Sequence, residues 1–412
     1  MRAWLRRAVI GSALAVGCGG AAVDRTASPP AGARVGRAPE PIARGPVPVP
    51  VAVPEPAPLA PDAPSLAPLV PVTLDTHVDT TQRMLDDHVD VATRVADGQL
   101  DLPRMREGAV SGAFFSIWVN PRTFRGEQAW QRAQALVAVV RAMVDAHPDE
   151  AALCTSVDEV RRANASGRIA VLMGVEGAHA LGDAPDDVLL ERLRELFRLG
   201  ARYMTITWTN DNRLGHASSG AHPALGLTDL GRRAVREMNG LGMIVDVSHV
   251  SDRTALDVLD VSTRPVLASH SSARALADHP RNVSDVLVRR IAEQGGAVCV
   301  NFYPRFIDVQ YGARARALEH VHATDPTLQR PSIAVLADHF AHIVQIGGPG
   351  AACIGSDFDG IGELPDGMRD VRDLPRLFDE LSRRGLDLAA IRGENVLRVL
   401  GAQATTSTAE GH

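Results

Sequence analysis

Eight apolar runs, each followed by a stretch of helical spacing or loop, limit how this chain can fold. They lie at 72–79, 111–119, 169–177, 201–208, 243–250, 265–271, 296–303 and 353–360. The runs are rich in Val, Ile, Ala and Phe and mostly lack apolar–polar alternation. That is the pattern of parallel strands covered on both faces. Helical spacing fills gaps near 127–146, 186–199, 332–345, 373–384 and 387–400. Ser251 or Asp252, Ser284, and Thr228 or Asp229 stand where helix caps belong, and Gly242 where a helix stops. Repeated βα units with eight strands predict an α/β fold, a (β/α)8 TIM-type barrel. An open, doubly wound sheet is the alternative if the strand number is off by one or two.

The chain has 412 residues, 45% of them hydrophobic, enough for one large core or two domains. A net charge of −6 gives no basic footprint for nucleic acid. The barrel is expected over 72–402, with a disordered tail at 403–412. Residues 1–22 read as a signal segment. Arg2, Arg6 and Arg7 precede an apolar stretch of about ten residues, too short to span a bilayer. That stretch ends at Ala15-Val16-Gly17-Cys18, which resembles a lipobox, so Cys18 is the expected lipidation site. Residues 23–71 form a linker, because 14 of the 27 prolines fall between Pro29 and Pro71 and favour extended backbone. The expected address is therefore an exported bacterial lipoprotein, periplasmic or at the cell surface, with plain secretion as the alternative. Beyond Cys18 remain Cys154, Cys299 and Cys353. The last two sit in apolar runs, so buried thiols and no disulfide framework are expected.

Metal-loving side chains recur where the runs end. His77 and Asp79 close VTLDTHVD, Glu176 closes IAVLMGVE, His249 closes MIVDVSHV, and His270 closes PVLASH. Barrels of this type carry their chemistry at the carboxyl ends of their strands. Three imidazoles and two carboxylates suit two zinc ions that share one carboxylate. A single His-x-Asp pair is weak evidence; recurrence at four strand ends carries the argument. Glu176 would otherwise need a salt bridge, since a buried bare carboxylate is costly. His179, two residues on, reads either as support for the centre or as a polar loop residue. Ser248, Ser269, Ser271 and Ser272 read either as hydrogen-bond partners that orient the rings or, for most of them, as small residues at crowded strand ends. In GSDFDG, Asp357 is the preferred proton carrier, with Asp359 expected on its side of the strand. Arg281, in HPRNVSD, reads either as a grip for a substrate carboxylate or as surface charge.

LDTHVDT, GVEGAH, RYMTITW, LGMIVDVSHVS, PVLASHSSARAL, HPRNVSD, VNFY and GSDFDG follow in this order. Together they resemble the membrane (renal) dipeptidase family, zinc peptidases on an amidohydrolase-like (β/α)8 barrel. The resemblance covers about Leu74 to Leu400. It implies that His77 and Asp79 bind one zinc, that His249 and His270 bind the other, and that Glu176 bridges them. It further implies that Asp357 transfers the proton and that Arg281 recognises the substrate's terminal carboxylate. Hydrolysis of a dipeptide by a hydroxide held between two Zn2+ ions, with tolerance for D-residues at the carboxyl end, is the implied reaction. A dipeptide is then the expected partner, with a membrane met only through the lipid anchor and a homodimer left open. One position departs from the family pattern. Where a histidine usually contacts the scissile carbonyl, this chain has Trp208, which can donate one hydrogen bond but carries no charge. His216 and His222 in the following loop are candidate substitutes. Trp208 keeps two other readings open: an N-acyl amino acid hydrolase or lactonase on the same scaffold, and a catalytically weak surface binding lipoprotein.

Overall fold

The computed structural model describes residues 67–322 and 324–404. The signal segment, Cys18, the linker up to residue 66 and the tail from 405 lie outside the described residues. Among the described residues, nine parallel strands form the sheet: β1 (Leu74–Val78), β2 (Gly112–Trp118), β3 (Ala151–Leu153), β4 (Ile169–Glu176), β5 (Ala201–Thr205), β6 (Ile244–Asp246), β7 (Leu267–Ala268), β8 (Ala297–Val300) and β9 (Ala352–Ile354). The predicted eight are all present. The ninth, β3, is short and pairs only with the start of β4, from Ala151 against Ile169 to Leu153 against Val171.

Closure comes from β2 against β4, in register from Gly112–Ala170 to Trp118–Glu176. The ring then runs β1, β2, β4, β5, β6, β7, β8, β9 and back to β1. The chain is thus a (β/α)8 barrel, and the open doubly wound alternative fails. Helices take their predicted places, among them Glu127–Ala146, Asp186–Arg198 and Ile333–Gly347. Thr228 caps the helix Asp229–Leu241, accepting from Gly231 N, and Ser251 caps Asp252–Val261, accepting from Thr254 N. Gly242 ends the first of these at φ 82°, a conformation that L side chains resist.

Two apolar regions result. The larger lies between the outer strand faces and the helices, around residues such as Ile117, Val171, Val245 and Phe340. The smaller fills the barrel, with Leu74, Phe114, Leu172, Ile244 and Leu267. Val396, Leu397 and Leu400 of the C-terminal helix Asn395–Gly401 join it. Asn395 there donates to the Ala352 carbonyl at 2.9 Å, and Gly393 abuts Val72. The helix therefore seals the end where the strands begin.

Cys299 and Cys353 occupy this interior as a disulfide, not as the free thiols expected. They are direct register partners on β8 and β9, with Cα atoms 4.1 Å apart, a relation that each apolar run read alone conceals. Cys154 is buried and free, and burial pushes its thiol up to about 12.

Candidate metal centre and active site

β1 is one residue longer than its partner between Asp75 and Val78, where its register with β2 slips. Such a bulge re-aims side chains beside sites. It leaves Leu74 in the barrel interior and Val78 in the outer core, while His77, between them, turns to the mouth. His77 Nδ1 meets the Tyr203 hydroxyl at 2.7 Å. Tyr203 fits because Gly174 lies beside it; a Cβ on Gly174 would stand 2.0 Å from the Tyr203 ring. With Nδ1 engaged, His77 Nε2 points to Glu176 Oε2 at 3.5 Å and to Asp79 Oδ2 at 3.8 Å.

The other two imidazoles come from neighbouring strand ends. His270 Nδ1 meets Ser269 Oγ at 2.8 Å, and Ser269 donates to Asp246 Oδ2 at 2.7 Å. Ser269 must then accept from His270, so the ring's free lone pair sits on Nε2. Asp246 is fully buried, and its carboxylate also accepts from Thr205 Oγ1 at 2.5 Å and from the Ser269 and Ser248 amides. This support under a metal-type histidine is the kind that fixes tautomer and orientation. The small-residue reading of the serines thus fails for Ser269, and for Ser248, whose Oγ accepts from the His270 amide. His249 Nε2 lies 2.9 Å from His270 Nε2 and 2.8 Å from Glu176 Oε1. His270 Nε2 is 3.4 Å from that same oxygen.

The two oxygens of Glu176 therefore face different imidazole groups, Oε2 toward His77 and Oε1 toward His249 and His270. Burial opposes the Glu176 charge, but the three imidazoles hold its carboxylate well below the usual range. Burial, with Arg281 nearby, brings His249 down to about 3, and burial with the His77 charge takes His270 well below its usual value. Both shifts favour the neutral ring, the form that ligates metals. His77 Nε2, Asp79 Oδ1 and His249 Nδ1 are buried without hydrogen-bond partners. Without a metal, Asp79 and Glu176 favour a proton on His77 Nε2, and a bound cation would take that proton's place between the ring and the carboxylates. His77, Glu176 and His270 hold ligand atoms within 4.8 Å of one another, as do His77, Asp79 and Asp357.

Asp357 stands on the Asp79 side. A Cβ on Gly360 would meet Asp79 Oδ2 at 2.1 Å and Asp357 Oδ1 at 2.4 Å, so the glycine makes room for both carboxylates. Burial and the Asp79 charge push Asp357 up to about 8, and Asn301 Nδ2 donates to its Oδ2 at 2.9 Å. Asp359 does not share that side. β9 ends at Ile354, and both Asp357 and Asp359 sit at φ 66°, so strand alternation no longer governs them. Asp359 instead accepts from Thr80 Oγ1 and the Gln99 amide and lies 3.6 Å from Arg83. His249 also has φ 66°, and non-glycine residues held there cluster at functional sites.

Arg281 is buried, 5% exposed, which rules out the surface reading. Its Nη2 donates to the His270 carbonyl at 3.2 Å, while Nε and Nη1 are buried donors without partners. Burial lowers it only to about 10, so it remains charged. Trp208 lies on the loop after β5, its ring 5.0 Å from Trp118 and 6.2 Å from His249. His179 bonds the Val119 carbonyl at 2.6 Å and serves the loop. His216 and His222 are engaged within their own loop, with the Gly226 carbonyl and with Asp211. The residue reading missed Tyr203, Asp246 and Asn301. A buried acid ending the apolar run MIVD was the one available signal, for Asp246.

The sequence profile of the membrane dipeptidase family (peptidase family M19) matches residues 69–411. An uncharacterized dipeptidase of Schizosaccharomyces pombe is 37% identical over 316 residues, covering 73% of this chain and 72% of that protein. A metallo peptidase of Rhodobacter sphaeroides, solved with a phosphinate mimic of L-Ala-D-Ala, is 27% identical with a TM-score of 0.70, over 81% of this chain and 99% of that one. A second solved metallo peptidase of family M19, dipeptidase AC, is 28% identical with a TM-score of 0.69, over 81% and 98%. With the barrel, the clustered donors and these relatives together, the chain belongs to the membrane dipeptidase family and is a metal-dependent dipeptidase.

Proposed function

We propose that the metal is a pair of zinc ions, one held by His77, Asp79 and Glu176 and the other by Glu176, His249 and His270. The observation that carries this is the split of Glu176, whose two oxygens face two separate groups of donors. Zinc supplies, when bound, a Lewis acid and a water of near-neutral pKa.

The chain's own residues do the rest. Arg281 presents two unpaired buried N–H groups, a fork that suits the terminal carboxylate of a short peptide. Asp357, hydrogen-bonded by Asn301, would take a proton from the attacking water as a carboxylate and return it to the leaving amine, with the bound cations offsetting the upward push of burial and Asp79. Trp208 and Trp118 form an aromatic wall beside His249. Trp208 offers no cationic donor for the scissile carbonyl, whose polarisation the metal pair would supply when bound. Because Arg281 reads a carboxylate and not the configuration beside it, D-residues at the carboxyl end are accepted. The Rhodobacter relative's phosphinate ligand mimics such a peptide, L-Ala-D-Ala.

The test is a panel of L-Ala-L-Ala, L-Ala-D-Ala, their amides, N-acyl amino acids and lactones. It is run on chelated protein and on protein restored with zinc. Zinc-restored hydrolysis of both dipeptides but not of the amides is expected. Preference for lactones or N-acyl amino acids would transfer the reading to the other hydrolases of this scaffold. Zinc-loaded but inert protein would mark a binding protein.

We further infer export, for which the Cys299–Cys353 disulfide is independent support, since such bonds persist in oxidising compartments. Fractionation with radiolabelled fatty acid checks it: label on the protein that disappears in Cys18→Ser supports the anchor, and cytosolic unlabelled protein contradicts it.

A further inference from the structure

The loop joining β5 to the helix Asp229–Leu241 carries a second group of metal-type side chains that shares no residue with the main centre. Asp211, His216 and His222 each offer a ligand atom, all within 4.8 Å of one another. Three features make this more than a chance meeting of polar residues. His216 Nδ1 donates to the Gly226 carbonyl at 2.7 Å, which places the free lone pair on Nε2, as in a metal-ligating histidine. His222 Nδ1 lies 3.0 Å from Asp211 Oδ2. Two ligands on one tetrahedral zinc stand about 3.3 Å apart, given metal–ligand distances of about 2.0–2.1 Å. The carboxylate is also fixed in place: Oδ1 accepts from the Ala217 amide at 2.9 Å and Oδ2 from the His222 amide at 3.0 Å.

We propose that Asp211, His216 and His222 form a separate site for a borderline divalent transition-metal ion, with zinc as its natural probe. Two imidazoles and one carboxylate suit zinc and its neighbours over calcium or magnesium, which prefer oxygen alone. The side chain of His222 is 64% exposed, so the ion loads from solvent, and water completes its coordination.

The site's position gives it a purpose. The Ser218 amide donates to the His249 carbonyl at 2.8 Å, the Ser251 amide donates to the His216 carbonyl at 2.9 Å, and Ala217 bridges to Val250. An ion on this loop therefore pins the backbone that is hydrogen-bonded to the His249 carbonyl.

Equilibrium dialysis against micromolar zinc, followed by metal counting, tests the proposal on wild type, His222→Ala and His216→Gln. Glutamine keeps a donor for the Gly226 carbonyl, so it answers the question if His222→Ala fails to fold. Wild type is expected to hold one zinc per chain more than either variant, whatever number the main centre holds. Equal counts in the folded proteins overturn the proposal.

Discussion

The two ends of the barrel are built from the same eight strands and obey opposite rules. Where the strands begin, Leu74, Phe114, Leu172 and Ile244 share one apolar cluster with Val396, Leu397 and Leu400 of the closing helix, and a disulfide joins β8 to β9. Where they end, carboxylates, imidazoles and a guanidinium are buried with donors and acceptors unsatisfied, and His249 and Asp357 hold positive φ. The difference teaches a division of labour. The dry end supplies the free energy that holds the unfavourable end together, as barrels of this type generally arrange.

Substitutions at each end should separate the two roles. The largest effect is expected for Glu176→Ala. Losing the shared carboxylate removes several kcal/mol of charge stabilisation, about 10³-fold or more in kcat/KM, while far-ultraviolet dichroism shows the barrel intact. Leu172→Ala, below it on the same strand, should do the reverse. Thermal and urea unfolding should show a loss of about 2–5 kcal/mol, with kcat of the folded fraction unchanged. A matching loss of kcat would break the division.

Arg281→Lys comes next. Removing the fork should cost about 1.5–3 kcal/mol, roughly 10- to 150-fold in kcat/KM, for dipeptides with a free carboxylate, and nothing for their amides. Equal losses on both would assign Arg281 to the support of the His270 carbonyl alone. The smallest effect is expected for Trp208→His. A restored donor at the carbonyl should raise kcat by about 10-fold, below the full 10²–10³ that such donors reach elsewhere. An unchanged kcat would say that the carbonyl is polarised without help from this position.

The eight barrel strands, the barrel class and the strand-end positions of His77, Asp79, Glu176, His249 and His270 were legible in the sequence, because each depends on a local pattern ending at a strand terminus; the short ninth strand, β3, was not. What escaped depends on relations between strands. Tyr203 reaches His77 only because Gly174 on the next strand leaves space. Cys299 meets Cys353 through register, not spacing. Asp359 left its expected side because left-handed backbone at Asp357 ended the period of two. Spacing alone left Arg281 between substrate grip and surface charge; burial removes the second, and the role proposed for it rests on the resemblance to the dipeptidases.

The most direct test is anomalous diffraction at the zinc absorption edge from crystals soaked in zinc. Two peaks on either side of the Glu176 carboxylate, about 3.5–4 Å apart, are predicted, with any peak at Asp211 counted separately. A single peak there, or none, would contradict a paired metal centre.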